Sequence, residues 1–213
     1  MAVLAAGNWG LPAAWSRLPG PATFRRATEA YRRGRFGEAI ETWSKALERF
    51  PTGLGPGAWL FRGMARLRLW QLRPAIDDLR SARRLARIFR REWLAGIDAE
   101  LVLADALLGR DRRNEAALAA RLDVGHGALI EALARLREGA FDAALAVLRS
   151  PEARQSSGTL GELVRVLEAW CHFELRREVV PVDVVSLFRE GSGDELLAAW
   201  PGLARFLEQA RAR

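Results

Sequence analysis

The sequence predicts an all-α fold, an α-solenoid of about five helical hairpins. Three observations predict it. Ala, Leu, Arg and Glu dominate while Ile, Thr and Tyr are scarce, so intrinsic propensity summed over any window favours helix over strand. Small and large residues alternate in segments that pair two short helices around a turn. That order returns 36 residues on, at Ala75 for Ala39, and recurrence at such a period marks stacked supersecondary units. Half of the 213 residues are hydrophobic, enough to bury a continuous core.

Residues 1–21 carry Trp9, Pro12, Trp15, Pro19 and Pro21 without a helical period. They read as an irregular N-terminal arm, packed over the first helix by its tryptophans. The repeats follow over residues 22–190. In the first unit, Ala27, Gly34, Phe36, Ala39, Trp43, Ala46 and Pro51 are spaced along two helices with the turn at Gly34. The second unit matches them with Gly63, Leu72, Ala75, Leu79 and Ala82. Small residues such as Ala27 and Gly63 let the second helix approach, and large ones fill the adjoining grooves. Pro51 ends the first unit, and Pro74 is tolerated near a helix start.

The third unit pairs an apolar run from Asp98 to Leu108 with a helix containing Ala116 and Leu118; its register is the less regular. The fourth repeats the first unit's order in Ala132, Gly139, Phe141, Ala144 and Leu148, with Pro151 ending it. In the fifth, Leu160, Leu163, Val166, Leu167, Trp170 and Phe173 line one helical face, with Cys171 in the core and Pro181 opening a shorter partner. Residues 191–213 form a capping helix interrupted at Trp200–Pro201, because proline disfavours helical geometry in the residue before it. A stack needs such an end to cover its last apolar face.

This alternation resembles the tetratricopeptide repeat family. Ala27, Tyr31, Gly34, Phe36, Ala39, Trp43, Ala46 and Pro51 carry the resemblance, followed by Trp59, Gly63, Leu67, Leu72, Ala75 and Ala82. Trp70 departs from it, standing where the pattern leads one to expect a glycine-like turn. The resemblance implies a right-handed superhelix whose first helices line a groove for a partner peptide or helix. Projected onto this chain, the groove takes Phe24, Thr28, Tyr31, Arg32, Leu60, Met64, Leu67 and Arg68, which would suit an amphipathic helix or an acidic segment. Packing between helices is an equal reading of Tyr31 and Leu67. The lysines and asparagines with which some family members bind a terminal carboxylate have no counterpart at Phe24, Thr28 and Met64.

Net charge is +7 and is borne by the first half of the chain, whereas the second half is slightly acidic. An acidic partner or nucleic acid follows from that asymmetry; since every basic residue but Lys45 is arginine, the composition of a GC-rich bacterial genome explains it as well. Arg80, Arg83, Arg84, Arg87, Arg90 and Arg91 recur at helical spacing opposite Ala82, Leu85, Ala86 and Phe89. One helix from about Pro74 to Arg91 is expected, its arginines either solvated or set against phosphates, anionic lipid or an acidic protein. Asp77 and Asp78 are placed to pair with Arg80 to Arg84. Stacking aromatics are not interleaved, which disfavours single-stranded nucleic acid.

Phosphate-loop, dinucleotide, nucleophile-elbow, zinc-protease and calcium-loop motifs do not occur, so an enzyme is not expected, and no cofactor is implied. His126 and His172 are far apart and read as structural. One cysteine, Cys171, excludes an internal disulfide. With no apolar run of the roughly 18 residues needed to span a bilayer and no basic n-region at Met1, the expectation is a cytoplasmic protein. An organelle-targeting reading of the acid-free segment with Arg17, Arg25 and Arg26 stays open against its single serine. The expected function is a protein-binding adaptor, scaffold or assembly factor. The alternative is a nucleic-acid- or anionic-surface-binding module, and self-association through Trp9, Trp15 or Trp200 is a further possibility.

Overall fold

In the computed structural model, residues 22–50, 53–120, 123–156, 158–176 and 193–211 are described. The expected features at Pro51, at the N-terminal arm and at Pro181 lie outside them. Among the described residues every regular element is helical, so the fold class is all-α. The helices are α1 (Ala22–Arg32), α2 (Phe36–Arg49), α3 (Gly55–Arg68), α4 (Leu72–Phe89), α5 (Leu94–Leu107) and α6 (Ala116–Ala120). They continue with α7 (Val124–Arg137), α8 (Phe141–Leu148), α9 (Pro151–Arg154), α10 (Gly158–Glu174), α11 (Asp194–Ala199) and α12 (Pro201–Arg211).

One backbone device builds the hairpins. After α1, Gly34 N–H donates to Tyr31 O and Arg35 N–H to Ala30 O; after α3, Trp70 N–H donates to Leu67 O and Gln71 N–H to Arg66 O. The same pair of bonds follows α5 at Gly109 and Arg110, and α7 at Gly139 and Ala140. Each satisfies helix-terminal carbonyls through a left-handed residue, with φ of 73° at Gly34, 74° at Gly109 and 72° at Gly139. Trp70 takes the same role at φ 60°. A side chain there costs about 1–2 kcal/mol of backbone strain, offset by burial of the indole in the core cluster that also holds Leu67, Leu72 and Leu103.

Short turns make the partners antiparallel, and side-chain contacts follow that direction. Arg26 meets Glu38 across α1 and α2, Trp43 stacks on Phe61 across α2 and α3, and Arg83 meets Asp98 across α4 and α5. Gly63 does what its size predicts: a Cβ there would lie 3.0 Å from Leu79 Cγ and 3.2 Å from both Ala75 O and Asp78 Cβ. Gly127 lets α7 lie on α6 in the same way.

The second helix of the third hairpin forms as α6, which contains Ala116 and Leu118 as expected, after a loop whose Arg110 and Arg112 are held by Asp105 of α5. Two elements differ from expectation. Pro151 opens α9 instead of merely ending a unit, because Ser150 Oγ accepts from Ala153 N–H and caps it. The C-terminal helices break at Trp200–Pro201 as expected, yet they reach back across the fold. Glu195 Oε2 accepts from the backbone N–H of Arg73 at 2.7 Å, and Trp200 Nε1 donates to Leu107 O at 2.8 Å. They thereby satisfy the first turn of α4 and the last turn of α5, while Trp200 and Phe206 pack on Trp170 and Phe173 of α10.

Candidate functional site

The expected groove residues are mostly core. Phe24, Thr28, Leu60, Met64, Leu67 and Arg68 are buried, Tyr31 is half-buried, and only Arg32 is exposed. These buried side chains pack within the helical core. Phe24, Leu60 and Met64 join Trp43 and Phe61 in the first core cluster, Leu67 joins the second, and Thr28 Oγ1 donates to Phe24 O within its own helix. Tyr31 lies among Phe36, Trp43 and Phe61, with ring centroids 5.4, 6.2 and 6.0 Å away.

Polar groups nevertheless converge on this face. Burial raises the Tyr31 hydroxyl above its ordinary pKa, with Arg68 of α3 lowering and Glu100 of α5 raising it, so charges on three successive first helices influence one another. Arg68 Nη1 is buried with no hydrogen-bond partner among the described residues. Spacing within one repeat could not reveal this grouping, since it joins residues from three.

The arginine helix forms, as α4, and its residues divide. Arg83 pairs with Asp98 at 2.6 Å, Arg84 donates to Ser81 Oγ, and Arg91 Nε donates to Arg87 O. Arg80 and Arg90 make long ion pairs with Asp77 and Glu92, at 3.9 and 3.8 Å. Asp78 is corrected outright. It faces α3, where its carboxylate accepts from Arg62 Nε and Nη2 at 2.8 and 2.7 Å and from Arg66 Nη1 at 2.9 Å. It is therefore a structural group of the α3–α4 pair and does not neutralise the outer arginines. Burial first, and then Arg62, pulls Arg66 below its ordinary pKa while Asp78 opposes both.

Phe89, expected on the apolar side of α4, is exposed. The large hydrophobics that stand out from the described surface are Ile88 at 72%, Phe89 at 59%, Phe50 at 46% and Val124 at 39%. Chain direction puts all four at one edge of the hairpins, where α2 passes to α3, α4 to α5 and α6 to α7. Arg49, Arg87, Arg90 and Arg91 stand exposed at the same edge, and the Arg49 guanidinium lies 5.3 Å from the Phe50 ring centre. The opposite edge, where α3 turns to α4 and α5 leads to α6, is the one that α11 and Trp200 cover. A sequence signal for Ile88 existed: it lies four residues after Arg84 and three before Arg91, an apolar residue on the arginine face.

No family model, curated protein or solved structure matches this chain significantly.

Of the remaining candidates, His126 is buried beside Asp123, whose carboxylate accepts from its backbone N–H and caps α7. His172 Nε2 lies 2.6 Å from Arg149 Nη2. Among the described residues no cluster of His, Cys, Asp or Glu could hold a metal ion, and no helix is long and apolar enough to cross a membrane. Cys171 is buried, as expected, and burial pushes its thiol up to about 12.

Proposed function

We propose that this chain is a tetratricopeptide-like binding scaffold, an adaptor or assembly factor, that engages its partner through the edge carrying Phe50, Ile88 and Phe89. The observation that carries this reading is the asymmetry of the two edges. One is bridged by Glu195 and Trp200 from the C-terminal helices at Arg73 and Leu107, and the other leaves large apolar side chains exposed beside arginines. Exposed apolar residues gathered in one place and rimmed by charge mark interaction surfaces. Scattered exposure would need no such explanation.

A photo-crosslinking residue placed at Ile88, and separately at the exposed Gln71 of the opposite edge, tests the reading in cells that make the protein. Adducts are expected from position 88 and not from 71. Equal yields from the two positions, or none from 88, would refute it.

A second reading keeps a protein partner on the first-helix face, favoured by the Tyr31, Arg68 and Glu100 grouping. There an acidic side chain of the partner would complete the bonding of Arg68. Binding of an isolated partner that survives Arg68→Met removes this version.

A further inference from the structure

The edge on which Phe50, Ile88 and Phe89 are exposed has a chemistry that selects among partners, and we propose that it docks on an anionic lipid surface. The inference rests on the edge reading above and names its partner. At the end of α4, Ile88 and Phe89 project from a segment that holds Arg84, Arg87, Arg90 and Arg91; Glu92 is the sole acid between Leu79 and Ile97. One hairpin away, Phe50 projects beside Arg49 at the end of α2. Apolar tips inside a basic field are what an anionic bilayer accommodates. The tips enter the boundary between headgroups and acyl chains, and guanidinium groups meet lipid phosphates with paired hydrogen bonds.

The half-buried Trp93, between α4 and α5, belongs to the same edge, and tryptophan suits the interfacial layer because its ring is apolar and its N–H polar.

Other occupants fit less well. A second copy of this chain meeting edge to edge would oppose Arg87, Arg90 and Arg91 with themselves, and like charges repel across an isologous contact. Nucleic acid would satisfy the arginines but leave Ile88 without a partner, since an aliphatic tip neither stacks on a base nor bonds to a phosphate. The favourable position of arginines at the C-terminal end of a helix dipole accounts for part of the charge, but not for Ile88 and Phe89 in water.

The test uses the purified full-length protein and sedimentation with vesicles of phosphatidylcholine, with or without phosphatidylglycerol. Binding is expected only with the anionic lipid, and it should weaken on adding salt. Ile88→Asn with Phe89→Asn should lower partitioning by about tenfold or more. Arg87→Gln and Arg91→Gln should each cost about fivefold. Arg32→Gln with Arg73→Gln, on the opposite edge, should leave binding unchanged. All these residues are exposed, so circular dichroism and thermal melting should match those of the parent.

Absence of sedimentation with anionic vesicles at low salt overturns the proposal, as does full binding by the Asn pair or an equal loss in the opposite-edge pair. If vesicles fail while crosslinks from position 88 go to a protein, the lipid proposal falls and the docking edge stands. If position 88 gives no adduct and vesicles fail as well, both fall.

Discussion

Replacing Asp78 by Asn should destabilise this protein more than any surface charge change. Asp78 is 2% exposed and binds two guanidinium groups of α3, bidentately to Arg62 and singly to Arg66. The amide keeps the volume, loses the charge, and turns one acceptor into a donor facing guanidinium. Breaking a buried pair this way costs about 3–5 kcal/mol. The arginine side chains retain 11% and 21% exposure, and Arg62 keeps Ser44 Oγ while Arg66 keeps Pro74 O, so water and these bonds relieve part of the loss. The expected value is about 3 kcal/mol, or about 6–12 °C in Tm for a chain of this size. Thermal melting and urea titration at neutral pH measure it. The triple variant Arg62→Met, Asp78→Leu, Arg66→Met should recover most of the loss, because an apolar replacement leaves no buried charge unpaired. An Asp78→Asn protein within about 0.5 kcal/mol of the parent would show that the network carries no such weight.

Trp70→Gly should lower stability by about 2–3 kcal/mol in a urea titration: the strained turn relaxes by about 1–2 kcal/mol, but a buried indole worth about 3–5 kcal/mol is lost. A stabilised variant would refute that balance. Gly127→Ala should destabilise by about 1–3 kcal/mol, since its Cβ would overlap Ala120 Cβ and come within 2.9 Å of Ala120 Cα; thermal melting decides. For Trp200→Phe, amide exchange at the α5 C-terminus should accelerate, because the indole N–H bond to Leu107 O is removed. Cys171 should resist thiol reagents in the native state at neutral pH. Its thiol is pushed up to about 12 by burial and then by Glu168. A group raised in the folded state contributes fully below its unfolded value of about 9 and loses that contribution as pH rises towards 12. Rapid labelling at neutral pH without unfolding would contradict its burial.

The helices themselves were legible because their causes are local. Ala27, Ala39, Gly63, Ala75 and Ala132 mark close helix pairing, and all five are buried. Trp70 departs from the glycine pattern, and its left-handed backbone shows that the turn repeats where the residue type does not. The site was less legible. Groove positions transferred from a family resemblance fell on core side chains such as Met64 and Leu67. Asp78 was assigned to its own helix, whereas α3 offered two guanidinium groups at closer range.

The sequence alone determined the all-α class, the arginine helix and the burial of Cys171, because periodicity, turn chemistry and propensity act over a few residues. Only the tertiary structure decided where the C-terminal helices dock. Glu195 reaches Arg73 across 122 positions and Trp200 reaches Leu107 across 93, and these contacts bridge one edge of the hairpins. No local pattern encodes a contact of that separation, because the pairing depends on where the chain returns and not on neighbouring residues.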